Sequence, residues 1–561
     1  MKVRLRRLFG VAALAVIVCL TACSEAGHET SASAEDPVTP DVLKEPRYTG
    51  DPPNLDYGRS IDDFVFGWQE HLDIKPALPC PDEVFCRRLF VDITGTLPTA
   101  DRAAAFLDLD DRLKRRKLVD ALLESPEFAT YWAMRWSDLL RIKAEFPINL
   151  WPNAAQAYHR WVRESIVANM PYDHFVRAML VSGGSNFRVG QVNFYRAMQD
   201  RSPAGIVRTV ALTFMGVRAE SWSSEQKAAL EQCFSQVGYK KTREWKEEIV
   251  YWDPLKGLDA GETNRPVKVV SPGATEVIMP DGARLKLPGD RDPRAAFADW
   301  LITPQNRWFT RNICNRVWAW LFGRGIVHET DDIRPDNPPS NPDLLAFLEK
   351  ELVQHKYDLR HLFRLILNSR AYQQVAGHPR SPYATAYFAG YPVRRLEAEV
   401  LIDAINGISG THDLYTSAIP EPFTYIPEDT PAVALADGSI TSPFLAMFGR
   451  SPRATGEENE RVNKLLPAQR LHLLNSSHIQ GKIESGPGLR SIWEKKGPAE
   501  KILERLYLAI LSRRPSKEEA AIALKYSAPD ERQTAGGDRS RETWMDIAWA
   551  LINSDEFLFR H

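Results

Sequence analysis

Apolar residues recur at helical intervals along most of this 561-residue chain, and the recurrence resolves into one unit stated three times. The first copy runs Arg88-Leu-Phe-Val-Asp-Ile, a turn at Pro98-Thr99-Ala-Asp101, a helix through Ala104 and Leu107, and a later helix ending Ser125-Pro-Glu127-Phe128. The last copy follows it closely, with Arg505-Leu-Tyr-Leu-Ala-Ile, Pro515-Ser516-Lys-Glu-Glu519, a helix through Ala520 and Leu524, and the ending Ser554-Asp-Glu556-Phe557. The middle copy is looser: Arg316-Val-Trp-Ala-Trp-Leu, Pro339-Ser340-Asn-Pro-Asp343, a helix through Leu345 and Leu348, and Ser369-Arg-Ala-Tyr372. Each unit reads as a capped helical hairpin. Thr99, Ser340 and Ser516 stand where a hydroxyl accepts a bond from an unpaired amide at a helix start, and Ser516 with Glu519 makes a capping box. The repeated Ser-x-x-Phe/Tyr ending places a serine to stop a helix and an aromatic ring to pack on the hairpin. From turn proline to terminal serine the spacing is 27, 30 and 39 residues, so the units do not form a regular solenoid.

Two stretches break the helical pattern. Val267 to Val270 and Val277-Ile-Met, followed by Pro280-Asp-Gly282 and Arg284-Leu-Lys-Leu287, alternate with turn signals and predict a small β-ribbon at a junction over residues 253–292. Residues 417–443 are proline-rich with few helical runs and read as a long surface loop. The fold class expected is therefore mainly α, built of repeated capped hairpins with a small β-ribbon at the domain junction.

The N-terminus carries a different signal. Lys2, Arg4, Arg6 and Arg7 precede an apolar run from Leu8 to Leu20 that ends Leu20-Thr21-Ala22-Cys23. The run is too short and wrongly flanked for a good spanning helix. It resembles a bacterial lipoprotein signal over residues 1–22, which implies that Cys23 is lipidated and becomes the new N-terminus. Ser24 would then favour the outer membrane. Each buried methylene of such an anchor contributes about 0.8 kcal/mol, and several acyl chains hold a protein on a membrane surface. Residues 23–56, polar and rich in Ser, Glu, Asp and Pro, read as a flexible tether.

With the first 22 residues set aside, four basic residues go and the formal charge moves from -2 to -6. That balance gives no support to a nucleic-acid partner. The chain is 44% hydrophobic, with 15 Trp and 24 Phe, enough to fill large cores. Beyond Cys23 the thiols are Cys80, Cys86, Cys233 and Cys314, too few for a disulfide scaffold. Cys80 and Cys86 form a possible disulfide if Pro79 and Pro81 bend the chain between them; on a straight helix six residues is too far.

Candidate chemistry is sparse. Asp331, Asp332, Arg334 and Asn337 share a proline-rich loop, and such a cluster suits cation binding or acid/base work, or else turns and a local ion pair. The twelve histidines include His355 with His361 and His472 with His478. Neither pair has the His-x-x-x-His spacing that puts two rings on one helical face, so no metal site is expected. Trp318 with Trp320, and Trp132 with Trp136, suit either sugar platforms or core, and helical spacing favours core. There is no Gly-x-Ser-x-Gly elbow, phosphate loop or dinucleotide fingerprint.

The stretch from Asn315 through Trp318, Trp320, Gly323, Asp331, Arg334, Asn337 and Pro342 to Asn368-Ser369-Arg370-Ala-Tyr372 resembles the planctomycete-specific domain. That secreted bacterial domain of unknown function commonly follows the second of the planctomycete cytochrome-type domains. The earlier motifs Arg87-Arg88-Leu-Phe-Val-Asp92-Ile-Thr94-Gly95, Trp132-Ala-Met-Arg135-Trp136-Ser-Asp138 and Val192-Asn193-Phe194-Tyr195-Arg196 resemble that partner domain. The resemblance implies a domain over residues 57–252, the ribbon linker, and a second domain over residues 293–561. Relatives often carry Cys-x-x-Cys-His just after the position of Phe214-Met-Gly216-Val-Arg, and a Cys-x-Cys pair near Gly456 to Glu460. This chain has Ala219-Glu220-Ser221-Trp222-Ser223 and Gly456-Glu457-Glu458-Asn459-Glu460 instead. Neither a cofactor nor covalent haem is expected. The function implied is an envelope lipoprotein with a structural or interaction role, partnered by the membrane surface and by an envelope protein or polysaccharide. The alternatives are an envelope hydrolase using Asp331 or Asp332 with a distant histidine, and a redox accessory like the haem-bearing relatives.

Overall fold

The computed structural model describes residues 60–256, 275–377, 384–495, 497–527 and 539–561. The signal and tether segments, Cys23 and the run Val267 to Val270 lie outside the described residues. Within them the protein is mainly helical, and the elements follow the expected order. Its first unit consists of Asp82–Thr94, Ala100–Asp108, Lys114–Leu123 and Pro126–Leu139; the middle unit of Phe309–Phe322, Pro342–Gln354 and Leu359–Leu367; the last of Ala499–Leu511, Lys517–Ser527, Arg539–Ile552 and Asp555–Leu558.

The three units share atomic detail. The opening helix of each ends at Thr94, Phe322 or Leu511, and the next residue, Gly95, Gly323 or Ser512, turns the chain in the left-handed conformation with φ of 63°, 70° and 61°. At the Ser-x-x-aromatic endings the serine hydroxyl works in both directions. Ser125 Oγ donates to Leu122 O at 2.8 Å and accepts from Phe128 N at 3.2 Å. Ser369 does the same with Ile366 O (2.6 Å) and Tyr372 N (3.2 Å), and Ser554 with Leu551 O (2.7 Å) and Phe557 N (3.2 Å). One side chain thus satisfies a carbonyl of the helix it closes and an amide of the turn it opens.

Thr99 caps Ala100–Asp108, and Ser516 with Glu519 forms the reciprocal box. Ser340 departs from expectation. The cap of Pro342–Gln354 is Asn341, whose side chain accepts from Leu344 N at 2.9 Å, while Ser340 Oγ donates to Ile326 O. An Asn-Pro start places the acceptor one residue later because proline supplies the first helical position.

Asp82–Thr94 is the hub. Every residue from Phe85 to Thr94 is buried, including Arg87, Arg88 and Asp92. Arg87 donates to Ile510 O and Phe557 O, both at 2.9 Å, and Arg88 donates to Tyr372 O at 2.6 Å and His561 O at 2.9 Å. Asp92 accepts from the hydroxyls of Tyr372 and Tyr391 at 2.8 Å and from Arg560 at 2.7 Å. The first unit therefore holds the aromatic endings of the other two. Burial pulls the Arg87 guanidinium down to about 10.

Strands are few. Thr275–Ile278 pairs antiparallel with Arg284–Leu287, the ribbon expected at the junction. A second sheet was not anticipated: Val237–Lys241 pairs with Glu248–Trp252, and Gly184–Ser185 adds an edge. Arg394–Arg395 pairs with Phe559–Arg560 and ties the chain end into the middle of the fold. The long loop is only partly superficial. Its stretch from Ala432 to Ile440 is largely buried, and Asp437 and Ser439 accept from the backbone of Ala144 and Glu145 at 2.9 Å. One contiguous apolar cluster runs from Ile61 to Leu558 and draws on both halves of the chain. Trp132, Trp136, Trp318 and Trp320 are all buried in it, as their helical spacing favoured.

Cys80 and Cys86 are free, buried thiols, so the possible disulfide is not formed. Cys80 follows the isolated bridge between Pro79 and Gln374, its N–H donating to Gln373 O at 2.7 Å and its carbonyl accepting from Arg115 at 2.7 Å. Cys86 lies on the hub helix, where burial pushes its thiol up to about 12.

Candidate functional site

The proline-rich loop holds two aspartates in different surroundings. Asp331 is buried: Arg316 donates to its Oδ1 at 2.7 Å and the backbone N–H of Glu458 donates to its Oδ2 at 2.8 Å. Burial alone would pull Arg316 down, but Asp331 and Glu458 overcome it and the net direction is upward. Asp332 lies nearer the surface and pairs with the exposed Arg334 at 2.9 Å. Asn337 donates to the carbonyl of Asp332 at 2.8 Å and shapes the turn. Asp331 thus bonds the loop to the core, and Asp332 bonds within its own turn.

The loop and the helix Phe309–Phe322 are also fixed to the first half of the chain. Ile333 N donates to Gly216 O at 2.8 Å, and Asn312 donates to Thr213 O at 3.0 Å. Gly216 has φ +64°, and a Cβ there would lie 2.7 Å from Asn312 Oδ1 and 3.0 Å from Thr330 O, so both conformation and space call for glycine.

Between these contacts opens a cleft of about 620 Å³. Val217, Ser221, Trp222 and Gln226 form one wall, Arg307, Trp308 and Arg311 a second, and Ile333 to Pro339 the third, with Pro280 of the ribbon at the margin. Gln226 donates to Pro280 O at 3.2 Å, and Trp300 donates to Asp281 at 3.0 Å, which seats the ribbon beside the opening. Trp222 and Trp308 meet edge to face at 6.1 Å, and the exposed Arg307 guanidinium lies 4.5 Å over the Trp308 ring. Of the loop's four candidate residues, Arg334 and Asn337 line the cleft; Asp331 and Asp332 do not. Asp336 is the one carboxylate on the lining, and no imidazole is there. The cleft offers guanidinium groups, aromatic edges and rigid prolines.

The segment Ala219 to Ser223, where relatives carry thiols and a histidine, forms a short turn on this same wall. It supplies neither sulfur nor imidazole. The four described thiols, Cys80, Cys86, Cys233 and Cys314, are buried in the core, and burial pushes Cys86 and Cys233 up to about 12. These residues do not fit a covalently attached haem. At the second departure carboxylates make the links. Glu458 accepts from Arg135 at 2.6 Å and from Trp320 Nε1 at 3.1 Å, and Glu460 gathers the N–H groups of Ala454, Thr455 and Gly456. Arg461 bridges Asp138 at 2.6 Å and Glu399 at 2.6 Å.

Two groupings escaped the sequence because the members of each lie on two successive helices. His355 and His361 stack with ring centres 3.5 Å apart beside Glu351. His472 Nε2 lies 3.4 Å from His478 Nδ1, whose ring bonds Asp413 at 2.7 Å. Six-residue separation says nothing about proximity once one helix ends and another begins between the rings; the signal available was the break between two predicted helices.

Among the described residues no helix is long and apolar enough to cross a membrane. No curated protein and no solved structure matches the chain. Residues 60–221 match the family model PSCyt2 and residues 293–527 match PSD1, each described as a protein of unknown function, DUF1549 and DUF1553 respectively. The cleft is built from both matched regions and the ribbon between them. The chain therefore contains a planctomycete cytochrome-like PSCyt2 domain followed by a PSD1 domain, with no Cys-x-x-Cys-His motif.

Proposed function

We propose that this protein is a binding protein of the cell envelope, held to a membrane through a lipid on Cys23, whose junction cleft takes a stretch of acidic polysaccharide. The observation that carries the reading is the lining of the cleft. Arg307, Arg311 and Arg334 present guanidinium groups, which bond carboxylate or sulfate oxygens in pairs. Trp222 offers an apolar edge against which a sugar ring packs. Glu349 accepts from Arg311 at 2.7 Å and Asp332 from Arg334 at 2.9 Å, so those two are held in place, while the exposed Arg307 rests over the Trp308 ring. Hydrolysis calls for an acid and a base converging on one bond. The lining carries Asp336 alone, and the Asp331 carboxylate is committed to Arg316 and the Glu458 amide. Binding without turnover suits that arrangement better than either the hydrolase or the redox alternative.

The test is titration calorimetry of the chain from residue 23 onward, without lipid, against oligouronates and neutral oligosaccharides of equal length. The acidic series is expected to bind, and Arg307→Glu and Trp222→Ala to weaken it about tenfold or more. Equal affinity for the neutral series, or cleavage of the ligand that Asp336→Asn abolishes, overturns the reading. The anchor is tested separately: Cys23→Ala is expected to leave the membrane fraction, and retention there in high salt argues against it.

A further inference from the structure

Glu351 lies in the last turn of Pro342–Gln354, His355 caps that helix, and His361 lies in the first turn of Leu359–Leu367. The intervening reversal is built firmly. Lys356 and Tyr357 adopt positive φ of 53° and 60°, Tyr357 is buried with its hydroxyl donating to Ile302 O at 3.1 Å, and Asp358 caps the second helix by accepting from His361 N at 3.1 Å. Asn169, from the first half of the chain, donates to the same Asp358 oxygen at 3.0 Å. The three side chains are therefore positioned by backbone that other parts of the molecule hold.

Their donor atoms lie close together; the two imidazoles stack with planes 15° apart, so ligation of one ion by both requires one ring to turn about its Cβ–Cγ bond. Glu351 Oε2 is 3.2 Å from His361 Nε2 and 3.5 Å from His355 Nδ1, and one ligand atom from each residue lies within 4.8 Å of the others. Around a tetrahedral ion with bonds of about 2.1 Å, neighbouring ligand atoms are about 3.4 Å apart. The two carboxylate-to-imidazole distances bracket that value. His355 is about half exposed and the other two partly so, which leaves the fourth position open to water.

We infer that Glu351, His355 and His361 form a binding site for a divalent transition-metal ion of the zinc class. Two imidazoles and one carboxylate make a nitrogen-rich set that prefers such an ion to calcium or magnesium, whose shells are built from oxygen. His355 Nδ1 also faces Glu351 O at 2.9 Å, so ligation through that atom uses the tautomer protonated on Nε2 and releases this contact. The ion would staple the helical hairpin of the middle unit across its turn.

The experiment is calorimetric titration of the full chain from residue 23 onward, stripped with a chelator, with Zn²⁺ alone. One ion per chain is expected, and His355→Ala, an exposed position that leaves the core intact, should lower affinity at least tenfold. His361→Gln should do the same. Loading with Co²⁺ gives a second readout, the visible absorption of a tetrahedral site, which both variants should lose. A His472→Ala/His478→Ala chain should keep the site. Unchanged Zn²⁺ stoichiometry and affinity in His355→Ala, cobalt absorption that follows His472 and His478, or no Zn²⁺ binding by the parent chain would overturn the assignment.

Discussion

A carboxylate's surroundings decide what its loss does. Asp331 and Asp332 are adjacent, yet the first is buried against Arg316 and a backbone amide while the second meets a half-exposed Arg334. Asp331→Ala removes the hydrogen-bonded carboxylate of a buried guanidinium, leaving it Glu458 at 3.6 Å, and is expected to cost about 3 kcal/mol. Asp332→Ala removes a surface pair and is expected to cost under about 1 kcal/mol. Urea unfolding of both variants measures the contrast, and equal losses would contradict the assigned roles. Glu397 gives a pH dependence. Burial acts to raise its carboxyl, but Arg560, Arg135 and Arg461 overcome that and hold it at about 2. In the unfolded chain it returns to its ordinary value of 4.5. Between those values the folded state binds fewer protons, so this contribution is present above about 4.5 and is lost as pH falls toward 2. Glu397→Gln should flatten the acid limb of the stability curve by about one proton; an unchanged slope there would place the acid sensitivity elsewhere.

At the scale of elements the serine endings and the caps carry testable weight. Ser516 and Ser554 were legible as cap and terminator because local hydrogen bonding reaches only three or four residues, a range over which sequence and structure coincide. Ser340 was misplaced because Ser-Asn-Pro holds two capping side chains in a row, and only the path of the chain decides between them. Asn341→Ala is expected to cost about 1–2 kcal/mol and Ser340→Ala less. Thermal unfolding of the two variants compares them, and a larger loss at Ser340 would refute the cap assignment. The sheet of Val237–Lys241 with Glu248–Trp252 escaped notice for a related reason. Its strands are short and end in exposed lysines and half-buried aromatics, so no alternating run of useful length stands out.

Across the whole molecule, a single apolar cluster spans both family-matched regions, and the last residues are wired into the first unit. Arg560 bonds Asp92 at 2.7 Å and also pairs with Glu397, while Arg394–Arg395 pairs with Phe559–Arg560. Calorimetry of residues 60–561 is therefore expected to show one cooperative transition, and two separated transitions would show independent halves. Removing residues 559–561 leaves Asp92 and Glu397 buried without their main cation and should lower the midpoint by many degrees. The helical class, the three hairpin units, the ribbon of Arg284–Leu287 and the lack of the haem-type motif are readable from residue order alone. These depend on residue type, on periodicity and on contacts a few positions apart. Packing alone shows that Asp331 bonds Arg316, that Arg87 and Arg88 bind the endings of the other two units, that Trp222 and Arg307 share a cleft, and that His355 and His361 meet beside Glu351. Each joins groups across a chain reversal or across hundreds of residues, and such distances are set by how helices pack and where turns reverse, which no local pattern encodes.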